Sequence, residues 1–317
     1  MYIVTGGAGF IGANLVAALN RRGDSNILVV DDLKQGDKFL NLRDLSIGDY
    51  MDLTEFRDHL RAGHFRNARV RAIFHQGACS DTMEYDGRYM MDNNFTYSKE
   101  LFHFSLEQNI PFVYASSAAT YGASTTFAEH PDNEKPLNVY GYSKLLFDRY
   151  VQHLLPRATS AVAGLRYFNV YGPREDHKGR MASMIHQMHH QIRTHGVVKL
   201  FTGSGGYGDG EQRRDFVHVE DAVKVNLFLA DSGTIQGIFN VGTGKSRSFN
   251  DVARALIASL GQGTIEYVQM PESLRAKYQS FTEADITQLR SVGYDAPFDS
   301  LEEGIATFVR VKADATP

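Results

Sequence analysis

Tyr140 and Lys144 stand four residues apart in Tyr140-Gly141-Tyr142-Ser143-Lys144. On a helix that spacing puts both side chains on one face. A phenol with a pKa near 10 is a poor base at neutral pH. A neighbouring ammonium favours the phenolate, and lowering the phenol by about 3 units takes about 4 kcal/mol. A cationic nicotinamide ring nearby would push the same way. The pair is therefore expected to move a proton to and from an alcohol oxygen, with Lys144 tuning Tyr140. Ser117 lies 23 residues before Tyr140, at the end of an apolar run, where its hydroxyl can bond the same oxygen.

The second chemical feature is Gly6-Gly7-Ala8-Gly9-Phe10-Ile11-Gly12, between the apolar run Tyr2-Ile3-Val4-Thr5 and a stretch with Ile11, Leu15, Val16 and Leu19 at helical spacing. Glycines here permit a tight turn and a close approach to a pyrophosphate, and the helix start supplies free N–H groups and partial positive charge. Gly6, Gly9 and Gly12 are read as a dinucleotide cradle. Asp31 stands 19 residues after Gly12, where an acid can accept from adenosine ribose hydroxyls, which favours NAD. Lys34 and Lys38 follow closely and could hold a 2′-phosphate, so NAD and NADP both remain open on these residues alone.

The elements that must position these groups alternate. Strands are expected at Tyr2–Thr5, Ile27–Val30, Val70–Phe74, Pro111–Ala115 and Ala161–Leu165, with helices from Phe10, over Tyr89–Glu107 and from Tyr140 to Leu155. Continuously apolar strands separated by helices imply a parallel sheet covered on both faces. This is the doubly wound, Rossmann-like α/β class, whose ligand crevice lies at the carboxyl ends of the strands. Residues 1–172 are expected to form the dinucleotide-binding domain, with a return to the sheet by about 215–243. That return is read from a strand at Asp215–Val219, a helix at Glu220–Ala230 and a strand at Ile238–Gly242. Residues 173–214 and 244–317 are expected to form a smaller α/β substrate domain, with Gly203–Gly210 as a loop.

Composition narrows the function classes. The 317 residues carry 33 Lys and Arg against 37 Asp and Glu, a net charge of −4, so no basic excess favours nucleic acid. Hydrophobic residues at 43% and charged residues at 22% fit a globular chain. The lone cysteine, Cys79, cannot form an internal disulfide, and the chain reads as cytoplasmic. No apolar run approaches the roughly 18–20 residues of a membrane span, and no signal peptide is expected before a motif that starts at Gly6. His186, His189 and His190 cluster on an expected helix, but no third ligand accompanies them, so no metal is expected and the cluster reads as a water-facing surface, with His186 left as a candidate substrate contact. Cys79 lacks an activating histidine and acid, and Ser117 lacks the G-x-S-x-G elbow of a hydrolase.

The order glycine motif, strand-end serine, Y-x-x-x-K resembles the extended short-chain dehydrogenase/reductase family. The segments Gly77-Ala78-Cys79-Ser80, Tyr89-Met90-Met91-Asp92-Asn93-Asn94, Tyr114 to Gly122, Pro136 to Lys144, Arg166 to Glu175, His177-Lys178-Gly179, Arg214-Asp215-Phe216-Val217 and Tyr278 to Thr282 resemble its ADP-heptose 6-epimerase branch, which serves lipopolysaccharide inner-core precursor synthesis. The resemblance implies NADP, withdrawal of hydride from C6″, a 6″-ketone that turns about C5″–C6″, and return of the same hydride. Two proton-handling groups are then needed: Tyr140 is similar to one and Lys178 to the other, although Lys178 taken alone is an ordinary loop lysine. By the same resemblance Phe10, Ile11, Asp31, Asp32, Lys38, Gln76, Gly77, Ala78, Cys79, Ser80, Asn93, Lys144, Val170 and Lys178 line the cofactor. Ser117, Asn169, Arg180, Phe201, Thr202, Gly203, Ser204, Arg214 and Tyr278 face the sugar nucleotide, and a homo-oligomer, a homopentamer, is implied. Arg214 also makes independent sense, because a guanidinium fork suits a diphosphate. Leu53 stands where the family often has lysine and Asp32 where it often has asparagine, both making the cofactor pocket less positive. Ala118 and Ala119 follow Ser117, and alanine moves no protons, so dehydration is disfavoured. The competing readings are a UDP-hexose 4-epimerase or reductase on the same scaffold, and a dinucleotide-sensing module without catalysis.

Overall fold

The computed structural model describes residues 1–272 and 278–314. Seven strands form the central sheet: β1 (Tyr2–Thr5), β2 (Ile27–Asp31), β3 (Asp49–Asp52), β4 (Ala72–His75), β5 (Phe112–Ser117), β6 (Val162–Tyr167) and β7 (Gln236–Val241). Their spatial order is β7-β6-β5-β4-β1-β2-β3, and every pairing is parallel. The Rossmann-like α/β class read from the sequence is the observed one.

Strand sequence explains the layering. In β1, Tyr2 and Val4 enter one core with Leu15 and Leu19 of α1 (Phe10–Arg21) and Val223 and Leu227 of the helix Val219–Asp231. Ile3 points to the opposite core, with Leu101 and Phe102 of the helix Tyr97–Gln108 and Phe147 and Val151 of α2 (Val139–Leu154). Successive side chains face opposite sides of a strand, so a strand buried on both faces must be apolar at every position. The chain runs outward from β1 through β2 to β3, then returns to β4 on the other side of β1. That reversal opens a crevice at the carboxyl ends of β1 and β4, and the glycine motif follows one of these strands and Gln76–Ser80 the other.

Several elements differ from the sequence reading. β3 was not expected, because Asp-Tyr-Met-Asp at the sheet edge contains no apolar run. The strand expected at Val70–Phe74 lies at Ala72–His75. The helix expected over Tyr89–Glu107 begins at Gly87 and contains a π turn at Asp92–Thr96. The strand expected at Asp215–Val219 is Phe216–His218, and it pairs with Asn169–Tyr171 outside the central sheet. The chain rejoins the sheet only through β7.

A third core unites Val198 and Leu200 with Ile185 and Met188 of α3 (Met184–His195), Val252 and Leu256 of the helix Phe249–Leu260, and Ile305 and Phe308 of the helix Leu301–Asp314. Within the stretch 244–317, Leu289 and Tyr294 instead enter the core beside β1. Among the described residues no helix is long and apolar enough to cross a membrane.

Candidate functional site

The cradle is built by close backbone packing. Gly6 has φ +64°, and a Cβ there would lie 2.6 Å from the amide nitrogen of Gly77, while one on Gly12 would collide with the Gly6 carbonyl. The loop after β1 therefore nests against the loop after β4 and against the first turn of α1. Gly9 caps α1 in an extended conformation and offers no side-chain oxygen to it. The first-turn N–H groups of Phe10, Ile11 and Gly12 are thus left for an anion, as a pyrophosphate requires. Asn94, in the π turn, fixes the neighbouring loop by accepting from the Cys79 N–H at 2.8 Å and donating to its carbonyl at 2.9 Å. The adjacent candidate Asn93 instead donates to Tyr89 O within its own helix. Gln76 is held by the Tyr167 hydroxyl and bonds Asn226. Ala78 is half-buried and Ser80 exposed.

At the far end of the cradle Asp31 is buried. Its Oδ2 accepts the Ala8 N–H at 2.9 Å and its Oδ1 the Lys38 ammonium at 2.7 Å. Lys38 also reaches Asp32 Oδ1 at 3.0 Å. Burial raises the Asp31 carboxyl above its ordinary range against the pull of Lys38, while the two carboxylates raise Lys38 against its own burial. Leu53 begins the helix Leu53–Arg61 and packs on the core behind β2.

Tyr140, the candidate acid–base group, sits where α2 begins. Asn138 caps α2 by accepting from the Gly141 N–H at 2.8 Å. A Cβ on Gly141 would lie 2.6 Å from the Ala119 carbonyl. Glycine thus lets α2 touch the short turn Ala118–Thr120 that follows Ser117, and this contact sets Tyr140 close to Ser117. The expected depression of the phenol pKa is not produced by the chain itself. Burial pushes Tyr140 up, with the nearby Ser117 hydroxyl acting the other way. The Lys144 ammonium donates to Ala115 O at 2.8 Å, and burial lowers it to about 8. The sequence reading took helical spacing as contact; tertiary structure directs Lys144 onto the strand instead.

Lys178 lies in the short turn Asp176–Met181, with its ammonium 5.2 Å from the centre of the Phe10 ring. Burial lowers its pKa, and Glu175 opposes that shift. Neighbouring Arg180 is exposed and pairs with Asp81 at 2.7 Å, tying this turn to the loop after β4. From the other side Asn41 donates to Ala8 O at 2.9 Å and to Arg174 O at 3.3 Å, linking the glycine loop to the approach to Lys178. Sequence reasoning missed Asn41; no local spacing signals a bond between residues so far apart.

Asn169, expected to face the sugar nucleotide, and Val170, expected to line the cofactor, belong to the strand beside Phe216–His218. The Arg214 guanidinium lies 5.2 Å from the Tyr278 ring centre and 5.7 Å from that of Phe249, and Phe201 meets Tyr278 edge-on. Burial lowers the Arg214 pKa with no carboxylate among its influences, whereas Arg213 is bound to Ser246. Gln212 ties Thr202 O and Ser204 Oγ, and Gly203 N–H donates to Asp209, which shapes the loop beside Arg214.

No cluster of three or more His, Cys, Asp or Glu suited to a metal occurs among the described residues. In the histidine cluster His190 is exposed, whereas the other two are half-buried. His186 and His189 meet Phe308 edge-on and are held neutral, each with a pKa lowered to about 4 by burial. Burial raises the Cys79 thiol, the opposite of nucleophile activation.

The family described as "NAD dependent epimerase/dehydratase family" matches residues 2–242. The chain is 54% identical over 315 residues to the ADP-L-glycero-D-manno-heptose-6-epimerase of Alkalilimnicola ehrlichii, covering 99% of this chain and 98% of that one. The crystal structure of the Helicobacter pylori ADP-L-glycero-D-manno-heptose-6-epimerase superposes with a TM-score of 0.85 at 30% identity, covering 98% of this chain and 95% of the other. The Thermus thermophilus UDP-glucose 4-epimerase in complex with NAD superposes with a TM-score of 0.80 at 26% identity, covering 99% of each.

Proposed function

Because this chain belongs to the NAD dependent epimerase/dehydratase family, we propose that it converts ADP-D-glycero-D-manno-heptose to ADP-L-glycero-D-manno-heptose by inverting C6″, a step toward the lipopolysaccharide inner core. The 54% identity to a heptose epimerase along almost the entire chain supports the substrate. The observation that supports the chemistry is the placing of two candidate proton-handling side chains, Tyr140 beside Ser117 at the start of α2 and Lys178 with its ammonium 5.2 Å from the centre of the Phe10 ring.

The cradle fits a nicotinamide dinucleotide, with first-turn N–H groups for the pyrophosphate and Asp31 at the ribose end. When bound, that cofactor supplies a hydride acceptor and donor. Tyr140 takes the C6″ hydroxyl proton while Ser117 orients the oxygen. The 6″-ketone turns about C5″–C6″, and Lys178 serves the oxygen in the second orientation. Acid–base groups on both sides let inversion occur without net redox change. Arg214 holds the diphosphate. Ala118 and Ala119 form the turn after Ser117 and offer no proton shuttle for water elimination.

The preferred cofactor reading is NADP, with Lys38 as the cation for a 2′-phosphate. NAD is the second reading, favoured by the pairing of Lys38 with Asp31 and Asp32. A homo-oligomeric, cytoplasmic enzyme accompanies this reading, testable by light scattering and cell fractionation. The function itself is tested by assaying purified protein with ADP-D-glycero-heptose and UDP-galactose side by side. Epimerisation of the first alone is expected; turnover of UDP-galactose alone would assign the chain to 4-epimerisation.

A further inference from the structure

We propose that Glu175 is a positioning residue for Lys178, its carboxylate closing the loop that carries the lysine and holding the ammonium over the Phe10 ring. The inference rests on the reading of Lys178 as the second proton-handling group. The Glu175 side chain is 0% exposed, with Oε2 4.0 Å from Lys178 Nζ. Its other contacts span the loop. Oε1 accepts the Gly172 N–H at 3.1 Å and the Ser183 hydroxyl at 2.8 Å, and Oε2 accepts the Ser183 N–H at 2.7 Å. Ser183 in turn caps α3 through the His186 N–H. One buried carboxylate therefore joins the end of the Asn169–Tyr171 strand to the start of α3, with Lys178 between them.

Such bracing has a purpose here. The loop passes through two left-handed residues, Arg174 at φ +73° and Gly179 at φ +50°, and left-handed backbone at a non-glycine residue needs support from its surroundings. A buried charge is costly unless paired: burial raises the Glu175 carboxyl, while Lys178 and the donors from Ser183 and Gly172 act the other way and favour its charged form. Around Lys178 the charged or titratable groups are Glu175, just before its turn, and Asp176 and His177 within it, His177 being held neutral with a pKa lowered to about 4 by burial. Lys38, from the turn Gly36–Asn41, acts on His177, and α1 presents the uncharged Phe10 ring. An opposite charge this close favours the protonated ammonium.

The test uses the full-length enzyme with its nicotinamide cofactor bound. Lysines are reductively methylated with ¹³C, the Lys178 signal is assigned with Lys178→Arg, and its titration is followed by NMR. In Glu175→Gln the Lys178 pKa is expected to fall by about 1 unit, and kcat to fall at least about 10-fold with KM little changed. Glu175→Asp, which keeps the charge on a shorter arm, is expected to hold the titration near that of the parent while lowering kcat. An unmoved Lys178 titration in Glu175→Gln overturns the proposal, even if Ser183→Ala and Glu175→Gln lose activity together, because that pattern marks a loop brace alone. Should Glu175→Gln fail to fold, Glu175→Asp decides, and an unchanged kcat overturns the idea. A fully active Lys178→Met with the shifted titration would remove the catalytic reading of Lys178 but leave its coupling to Glu175 standing.

Discussion

The ammonium of Lys144 donates to the carbonyl oxygen of Ala115 at 2.8 Å. Ala115 lies two residues before Ser117 on β5, and Lys144 lies one helical turn after Tyr140 on α2. The bond therefore fastens the helix bearing the phenol to the strand bearing the serine. Lys144 is thereby a fixture between α2 and β5, and burial brings its own pKa down to about 8.

Tyr140→Phe removes the hydroxyl and keeps the ring. Turnover is expected to fall about 10²- to 10⁴-fold, the range for loss of a general acid–base group. Lys178→Met should lose a similar factor. Dinucleotide affinity, followed by fluorescence titration, should change little in either variant because neither side chain builds the glycine cradle. Near-parental turnover in both would refute the two-base assignment.

Lys38→Ala distinguishes the cofactor readings. With NADP as the natural ligand, affinity for NADP should drop about 10- to 100-fold, as for loss of a charged hydrogen bond of about 1.5–3 kcal/mol, while affinity for NAD stays level or improves. Calorimetric titration of both dinucleotides provides the check. Equal weakening of the two would mean that Lys38 serves only to neutralise Asp31 and Asp32.

Arg214→Ala should raise KM for the sugar nucleotide about 10-fold or more and alter kcat less, because the guanidinium is assigned to the diphosphate and not to the reacting carbon. Steady-state kinetics on the purified variant measures the split. A loss confined to kcat would move Arg214 away from the diphosphate.

Glu129 gives a pH-dependent stability with a definite sign. Its Oε1 accepts the Asn240 N–H at 2.6 Å, and burial raises its pKa from 4.5 to about 7. The folded state thus binds the proton more tightly than the unfolded state. This contribution is fully present below 4.5 and is lost as pH rises toward 7. Glu129→Gln keeps an acceptor and has no proton to lose. Its Tm relative to the parent should rise steadily between pH 4.5 and 7, as thermal melts would show; a constant offset over that window would contradict the burial argument.

Local spacing made much of the fold and site legible. Gly6, Gly9 and Gly12 after an apolar strand, and Tyr140 with Lys144 on one turn, are patterns whose geometry is fixed within a few residues. The same was true of the apolar strands β1, β2, β5 and β6, which must bury both faces. β3 was not legible because Asp49-Tyr50-Met51-Asp52 sits at the sheet edge, where burial does not demand an apolar run. Nor was the environment of Tyr140, which depends on the approach of Gly141 to Ala119 and on the direction taken by Lys144. Asn41 and Glu175 act through bonds formed only in the folded chain; Glu175 stood within a recognisable segment, but nothing in the segment showed that its carboxylate would be buried.

Inversion by removal and return of one hydrogen at C6″ is tested most directly by running the reaction of ADP-D-glycero-heptose in D₂O and recording the proton NMR spectrum of the isolated product. The hydrogen leaving C6″ never joins the solvent pool in this account, so the L-glycero product should carry full protium at C6″. Deuterium at that carbon would show an exchange with water and would contradict hydride return as the route of inversion.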